Sequence, residues 1–287
     1  MSSFDINQLR QPEFWEKLCP DLTVSSAIEP ASGQLTLPLR DQDWQQCKDL
    51  INEDAYFAYD SWFDTGYIDR LASCLTKLES ENLLPAFCFV YDEFWQLMLQ
   101  LDPLLSDLVD EYWLLPAVWA WHVTPDKQTA FSPHRDQIRE VAVDDEDHLD
   151  YLTIWIPLTD LNHLSSSICV LPASLDPDYD AGEAGVRVED LQNVRSLQGK
   201  RGSVFCWATG LAHWGTRQSE FGQPRMSVGL YIQNPEAECL DPPPLDFTKP
   251  FSLDQRLQLI GQQIVNYSRE ADSELLKLAG ELCSANV

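Results

Sequence analysis

A histidine and an aspartate stand two residues apart in Phe131-Ser132-Pro133-His134-Arg135-Asp136, and a second histidine follows far downstream in Gly210-Leu211-Ala212-His213-Trp214-Gly215. Two neutral imidazoles and one carboxylate can occupy one face of an octahedral divalent metal. That leaves three positions for other ligands, the donor set of non-haem Fe(II) sites that take up a cosubstrate and O₂. In an extended segment, residues two apart project to the same side, so His134 and Asp136 converge while Arg135 points away. His213 must then come from a strand that is distant in sequence and adjacent in space. Taken alone, a His-x-Asp pair also describes a surface loop with a capping aspartate and a hydrogen-bonded histidine.

The segment after His213 argues for the site. Arg225-Met226-Ser227-Val228-Gly229-Leu230-Tyr231-Ile232 alternates, with Met226, Val228, Leu230 and Ile232 on one face and Arg225, Ser227, Gly229 and Tyr231 on the other. One face is apolar and the other chemically equipped. An arginine beside a hydroxyl suits a bidentate clamp for a carboxylate, here the far carboxylate of 2-oxoglutarate. Arg217 and Arg135 are the nearest alternative clamps in sequence. An edge-strand arginine reaching to solvent is the plainer fate of such a residue.

These residues need a scaffold that brings distant strands around one interior. A double-stranded β-helix, the jelly-roll or cupin-like barrel, does this through its Greek-key connections. Strands are expected at about 117–123, 151–158, 202–207 and 225–232, with helices from both ends of the chain against the barrel. Trp44, Cys47, Leu50 and Ile51 recur at helical spacing, as do Ile68, Leu71, Leu75 and Leu78. Short helices are expected at about 13–18 and 91–101, and Asp102-Pro103 opens another. The aromatic run Phe94-Trp95 with Leu97 and Met98 reads as core.

The acidic run 143–150 reads as a solvated loop, with a lid over the pocket as the alternative. Residues 175–200 form a long excursion suited to choosing a substrate. Pro242-Pro243-Pro244 marks a rigid connector. After it, Leu257, Ile260, Ile264, Leu275, Leu278, Ala279 and Leu282 form apolar helix faces that must be covered, by the barrel in a monomer or by a second copy in a homodimer. The 287 residues read as one domain, with a helical part over about 1–112, the barrel over about 113–234, and a connector with terminal helices over about 235–287.

Composition narrows the partners. A net charge of −27 and a pI near 4.2 repel nucleic-acid phosphates and anionic membranes. No stretch approaches the ~20 apolar residues of a membrane span, and the first residues carry no apolar signal region. The eight cysteines include no Cys-x-x-Cys pair and read as reduced core thiols of a cytoplasmic protein acting on a small molecule. His122, His148 and His163 lack a partner at ligand spacing.

Between about 115 and 233 the chain resembles the phytanoyl-CoA dioxygenase family of Fe(II)/2-oxoglutarate-dependent oxygenases. The resemblance is carried, in order, by Tyr151-Leu-Thr-Ile-Trp-Ile-Pro-Leu-Thr-Asp160, Ser167-Ile-Cys-Val-Leu-Pro-Ala-Ser174, Gly202-Ser-Val-Phe-Cys-Trp207, His213 and Arg225. It implies iron at His134, Asp136 and His213, 2-oxoglutarate held by Arg225 with Trp155 beside it, and Ser227 as a further contact. The implied activity is a dioxygenase that hydroxylates an unactivated C–H bond while 2-oxoglutarate goes to succinate and CO₂. The family's Gly-Ser-His turn is Ala173-Ser174-Leu175 here, and its Asn-Gly before Cys169 is Ser165-Ser166. A non-oxygenase metal-binding cupin, an isomerase or a small-molecule binding protein, would keep the barrel without needing Arg225 and Ser227 on the inward face. A helical interaction module built on the acidic surface would need neither.

Overall fold

The computed structural model describes residues 5–28, 45–109, 111–126, 131–137, 149–180, 185–188, 190–238, 244–246, 249–267 and 273–284. Its strands are β1 (Ala27–Ile28), β2 (Tyr56–Tyr59), β3 (Trp113–Val123), β4 (Tyr151–Pro157), β5 (Ile168–Leu171), β6 (Arg195–Leu197), β7 (Val204–Ala208), β8 (Ala212–Gly215), β9 (Arg225–Gln233) and β10 (Phe251–Ser252). Five of them form an antiparallel sheet in the order β2-β7-β4-β9-β3, and three form a second sheet, β6-β5-β8. Except for the consecutive pair β5-β6, neighbours in these sheets are distant in the chain, as the crossing connections of a double-stranded β-helix require. β1 and β10 pair by themselves.

The alternation in β9 divides the larger sheet into two working faces. Met226, Val228, Leu230 and Ile232 are buried on the outward face together with Leu152, Ile154 and Ile156 of β4. The helix Thr65–Ser80 lies against this face: Thr76 Oγ1 sits 3.8 Å from Met226 Sδ, and Glu79 Oε2 lies 2.5 Å from His122 Nδ1 on β3. Ile68, Leu71, Leu75 and Leu78 are all buried, so the helical stripe read from the sequence is the packing face. Asp64 caps that helix by accepting from the Tyr67 amide.

Several boundaries differ from the sequence reading. β3 starts at Trp113 and not near 117, with a register shift between Leu114 and Val118. Pro116 falls inside the shift, and a residue without an amide hydrogen cannot continue the ladder there. The helix expected from 91 runs Asp92–Leu99, with Tyr91 in extended conformation before it. Residues 143–148 of the acidic run lie outside the described residues, as do Trp44, His148, Pro242, Pro243 and Cys239. The other seven cysteines are free thiols, six of them buried. No helix among the described residues is long and apolar enough to cross a membrane.

The terminal helices Leu253–Tyr267 and Ser273–Cys283 are covered within the chain. Leu257, Ile260, Ile264, Leu275, Ala279 and Leu282 are buried, and Leu278 is partly so. A Cβ at Gly261 would lie 2.8 Å from the Ala279 carbonyl oxygen, so glycine allows the two helices to close. Arg256, fully buried, donates to the Val90 carbonyl (2.5 Å), to Asp92 Oδ1 (2.7 Å) and to the Ser25 carbonyl. Asp92 also accepts from the Ser25 amide, so one ion pair ties the lead-in, a barrel-side helix and the C-terminal helix together.

Candidate metal centre

The site is built where the two sheets face each other. His213 lies on β8, and residues around His134 extend the smaller sheet beyond it. The His134 amide donates to the His213 carbonyl (3.0 Å) and the His213 amide to the His134 carbonyl (2.9 Å). This reciprocal pair sets the two rings side by side, 4.4 Å between centroids. One further backbone bond, from the Gln137 amide to the Thr209 carbonyl at 3.0 Å, holds the chain just past Asp136. The expected convergence of His134 and Asp136 is present, and an isolated β-bridge brings His213 to them.

Both imidazoles are oriented by backbone. His134 Nδ1 lies 2.8 Å from the Ser132 carbonyl oxygen and His213 Nδ1 3.0 Å from that of Leu211. A carbonyl only accepts, so Nδ1 carries the hydrogen in each ring and Nε2 keeps its lone pair. Those two Nε2 atoms each lie 3.7 Å from Asp136 Oδ1. The three ligand atoms are within 4.8 Å of one another, the metal-capable cluster found among the described residues. Burial pushes the His213 imidazole below its ordinary range, opposed by the Asp136 carboxylate and assisted by His134, so the ring is neutral at pH 7. Two neutral imidazoles and one carboxylate fit a divalent first-row metal.

Arg135, between the ligands, is committed elsewhere. Its guanidinium donates to the Gly210 carbonyl (2.8 Å) and to Asp176 Oδ2 (2.7 Å), with both side chains buried. The start of the 175–200 excursion is thereby fastened beneath the ligand strand. Arg217 is exposed. Neither alternative clamp faces the interior with a free guanidinium.

Arg225 does. It is 2% exposed, and its Nε and Nη1 have no hydrogen-bond partner. Burial pulls its pKa down to about 10, which still leaves it a cation at neutral pH. Its guanidinium lies 5.6 Å from the centre of the Trp155 ring, which is stacked on Phe205 at 5.6 Å. Ser227, wholly buried, also has an unpartnered hydroxyl. Gly229 on the same face makes room for the Trp121 ring, whose atoms a Cβ there would meet at 2.9 Å.

The structure places all six residues singled out in the sequence on this interior: His134, Asp136 and His213 as one cluster, and Arg225, Ser227 and Trp155 on the shared face of β4 and β9. Three further residues join them: Thr153 and Trp207 carry no mark in the sequence, and Tyr231 is marked there only by its face of the strand. Thr153 Oγ1 donates to Asp136 Oδ2 at 3.0 Å, and Tyr231 is its direct neighbour across β4 and β9. Trp207, opposite Thr153 on β7, sets its ring 5.1 Å from that of His213. Their signal is the inward parity of β4, β7 and β9, legible only once the strand register is known.

No family model matches the chain, and no curated protein matches its sequence. Solved structures do match. The non-haem alpha-ketoglutarate-dependent epimerase SnoN from nogalamycin biosynthesis is 14% identical over 74% of this chain and 93% of its own, with a TM-score of 0.52. HygX from Streptomyces hygroscopicus is 16% identical over 67% of this chain and 87% of its own, at 0.50. The non-haem monooxygenase ThoJ is 11% identical over 66% of this chain and 78% of its own, at 0.51. SnoN has been solved in complex with Fe3+, alpha-ketoglutarate and nogalamycin RO, and HygX with iron bound. At these identities the likeness is one of fold, and it establishes the chain as a double-stranded β-helix.

Proposed function

We propose that the protein is an Fe(II)- and 2-oxoglutarate-dependent dioxygenase that hydroxylates an unactivated C–H bond of a small molecule. The observation that carries this reading is Arg225, a buried cation with unpartnered donors on the interior that also holds the His-Asp-His cluster. A buried charge without a counter-ion carries a desolvation cost that an arriving carboxylate would relieve. A metal-binding cupin needs the cluster but leaves Arg225 and the Ser227 hydroxyl without a purpose. A dicarboxylate cosubstrate gives both a partner, and 2-oxoglutarate is what SnoN, of similar fold, is described as binding.

His134, Asp136 and His213 would hold the iron, which when loaded activates O₂ at the expense of 2-oxoglutarate. Nδ1 of each imidazole stays on a backbone carbonyl, fixing both rings. Arg225 and Ser227 would grip the far carboxylate, and Trp155 would form a flat wall beside it. The resemblance to the phytanoyl-CoA dioxygenase family supports the same assignment. Asp136 occupies the position that halogenases of this superfamily leave open for chloride, which favours oxygen transfer.

With Fe(II) and 2-oxoglutarate, the protein is expected to release succinate and CO₂. A metabolite library should yield a product heavier by one oxygen atom. A product of unchanged mass would replace hydroxylation with an isomerisation such as the epimerase name of SnoN describes, and no succinate at all would return the protein to the cupin reading. His134→Ala and His213→Ala should each abolish iron binding, because losing one of three ligands undoes the set. Asp136→Gly should keep some iron through the two imidazoles and lose hydroxylation.

A further inference from the structure

We propose that Thr153 and Tyr231 are positioning residues for the Asp136 carboxylate, holding its outer oxygen so that Oδ1 alone is offered to the metal. This rests on the metal-centre reading above. The carboxylate is already turned that way. Oδ1 is equidistant from the two ligand nitrogens at 3.7 Å, while Oδ2 accepts from the Thr153 hydroxyl at 3.0 Å. Thr153 and Tyr231 are paired residues of β4 and β9, so their side chains leave the sheet together on the inward face. Thr153 is 5% exposed, and water has little access to compete for its hydroxyl.

The Tyr231 phenol reaches the same carboxylate. Its partner residue across the two strands is Thr153, and burial followed by the nearby Asp136 charge raises the phenol's pKa. An ionised carboxylate oxygen has two acceptor sites, so Oδ2 can take a second hydroxyl besides that of Thr153. With Oδ2 engaged, the carboxylate has only Oδ1 left for the metal. Were both oxygens to bind, Asp136 would occupy two positions and leave two of six open, where a bidentate cosubstrate and O₂ need three. Groups that orient a ligating carboxylate in this manner are worth about 10–100-fold in metal affinity.

Cobalt(II) titration of the metal-free protein tests this without turnover, because the visible ligand-field bands report both occupancy and coordination number. Thr153→Val keeps shape and burial while removing the hydroxyl. It should weaken Co(II) binding by about tenfold, and Thr153→Val with Tyr231→Phe by about a hundredfold, with altered band intensities. Thr153→Ser should restore most of the affinity, and the melting temperature of the metal-free protein should stay near the parent's in all three. Parent-like affinity and spectrum in the double variant would overturn the proposal. So would an affinity loss that tracks a fall in metal-free melting temperature and that serine does not rescue, since that marks a packing role. If the parent itself takes up no Co(II), the metal-centre reading falls first; parent binding with unchanged variants sinks the positioning role alone.

Discussion

Arg256 and Arg225 are both buried guanidinium groups, and they are used in opposite ways. Arg256, on the helix Leu253–Tyr267, meets a carboxylate and two carbonyls drawn from two separate segments, 90–92 and Ser25. Arg225, inside the barrel, has two donors with no acceptor and an aromatic ring in place of a counter-ion. A third case, Arg135, follows Arg256: its partners are Asp176 and a backbone carbonyl. A fold that can supply a carboxylate and carbonyls to two buried arginines is equally able to supply them to a third. The unpartnered donors of Arg225 are what the proposed function assigns to the cosubstrate carboxylate, whereas Arg256 and Arg135 are internal fastenings.

Removing each arginine, or its partner, in turn separates the two uses. Arg256→Ala should have the largest effect on stability, a loss of about 3–5 kcal/mol in chemical unfolding, because it leaves Asp92 as an uncompensated buried charge. A loss below about 1 kcal/mol, the worth of an ordinary exposed pair, would mean that Arg256 is not a fastening. Asp176→Asn, which keeps the shape and removes the charge facing Arg135, should cost about 1.5–3 kcal/mol. Since Arg135 sits between two ligands, metal affinity should fall with it. The smallest effect belongs to Arg225→Met: without cosubstrate it should cost nothing and gain up to about 1 kcal/mol, as an apolar group replaces an unpaired cation. Destabilisation of several kcal/mol by Arg225→Met would show that the residue supports the fold after all.

Much of the site is legible in the amino-acid sequence itself. His134 and His213, two of only five histidines, stand with Asp136 at a spacing that points to a metal, and the alternation through Arg225, Ser227 and Tyr231 assigns a face to each without knowledge of the partner strand. Register is not legible there. Thr153 and Tyr231 share the face toward Asp136 only because β4 and β9 pair with those two residues opposite each other, and a one-residue slip would put them on opposite faces. The edge strand β2 escapes a sequence reading because Tyr56–Tyr59 is four residues of aromatic and alanine with no turn signal of its own. Arg135 and Arg256 carry no local mark that separates them from solvent-facing arginines, since their partners lie 41 and 164 residues away. Burial of the terminal helices follows from their stripes, and the choice of covering surface does not.

If Arg225 awaits the far carboxylate of 2-oxoglutarate, calorimetric titration of 2-oxoglutarate into Co(II)-loaded protein will register it in the parent, Arg225→Ala and Arg225→Lys. The parent should bind, and Arg225→Ala should bind tens to thousands of times more weakly, as expected for loss of a charge-assisted pair worth about 2–5 kcal/mol in a dry pocket. Arg225→Lys should recover part of the loss, because an ammonium supplies the charge without the planar fork. Co(II) affinity should be the same in all three, since the side chain does not touch the metal cluster. Equal 2-oxoglutarate binding by the parent and Arg225→Ala would contradict the clamp.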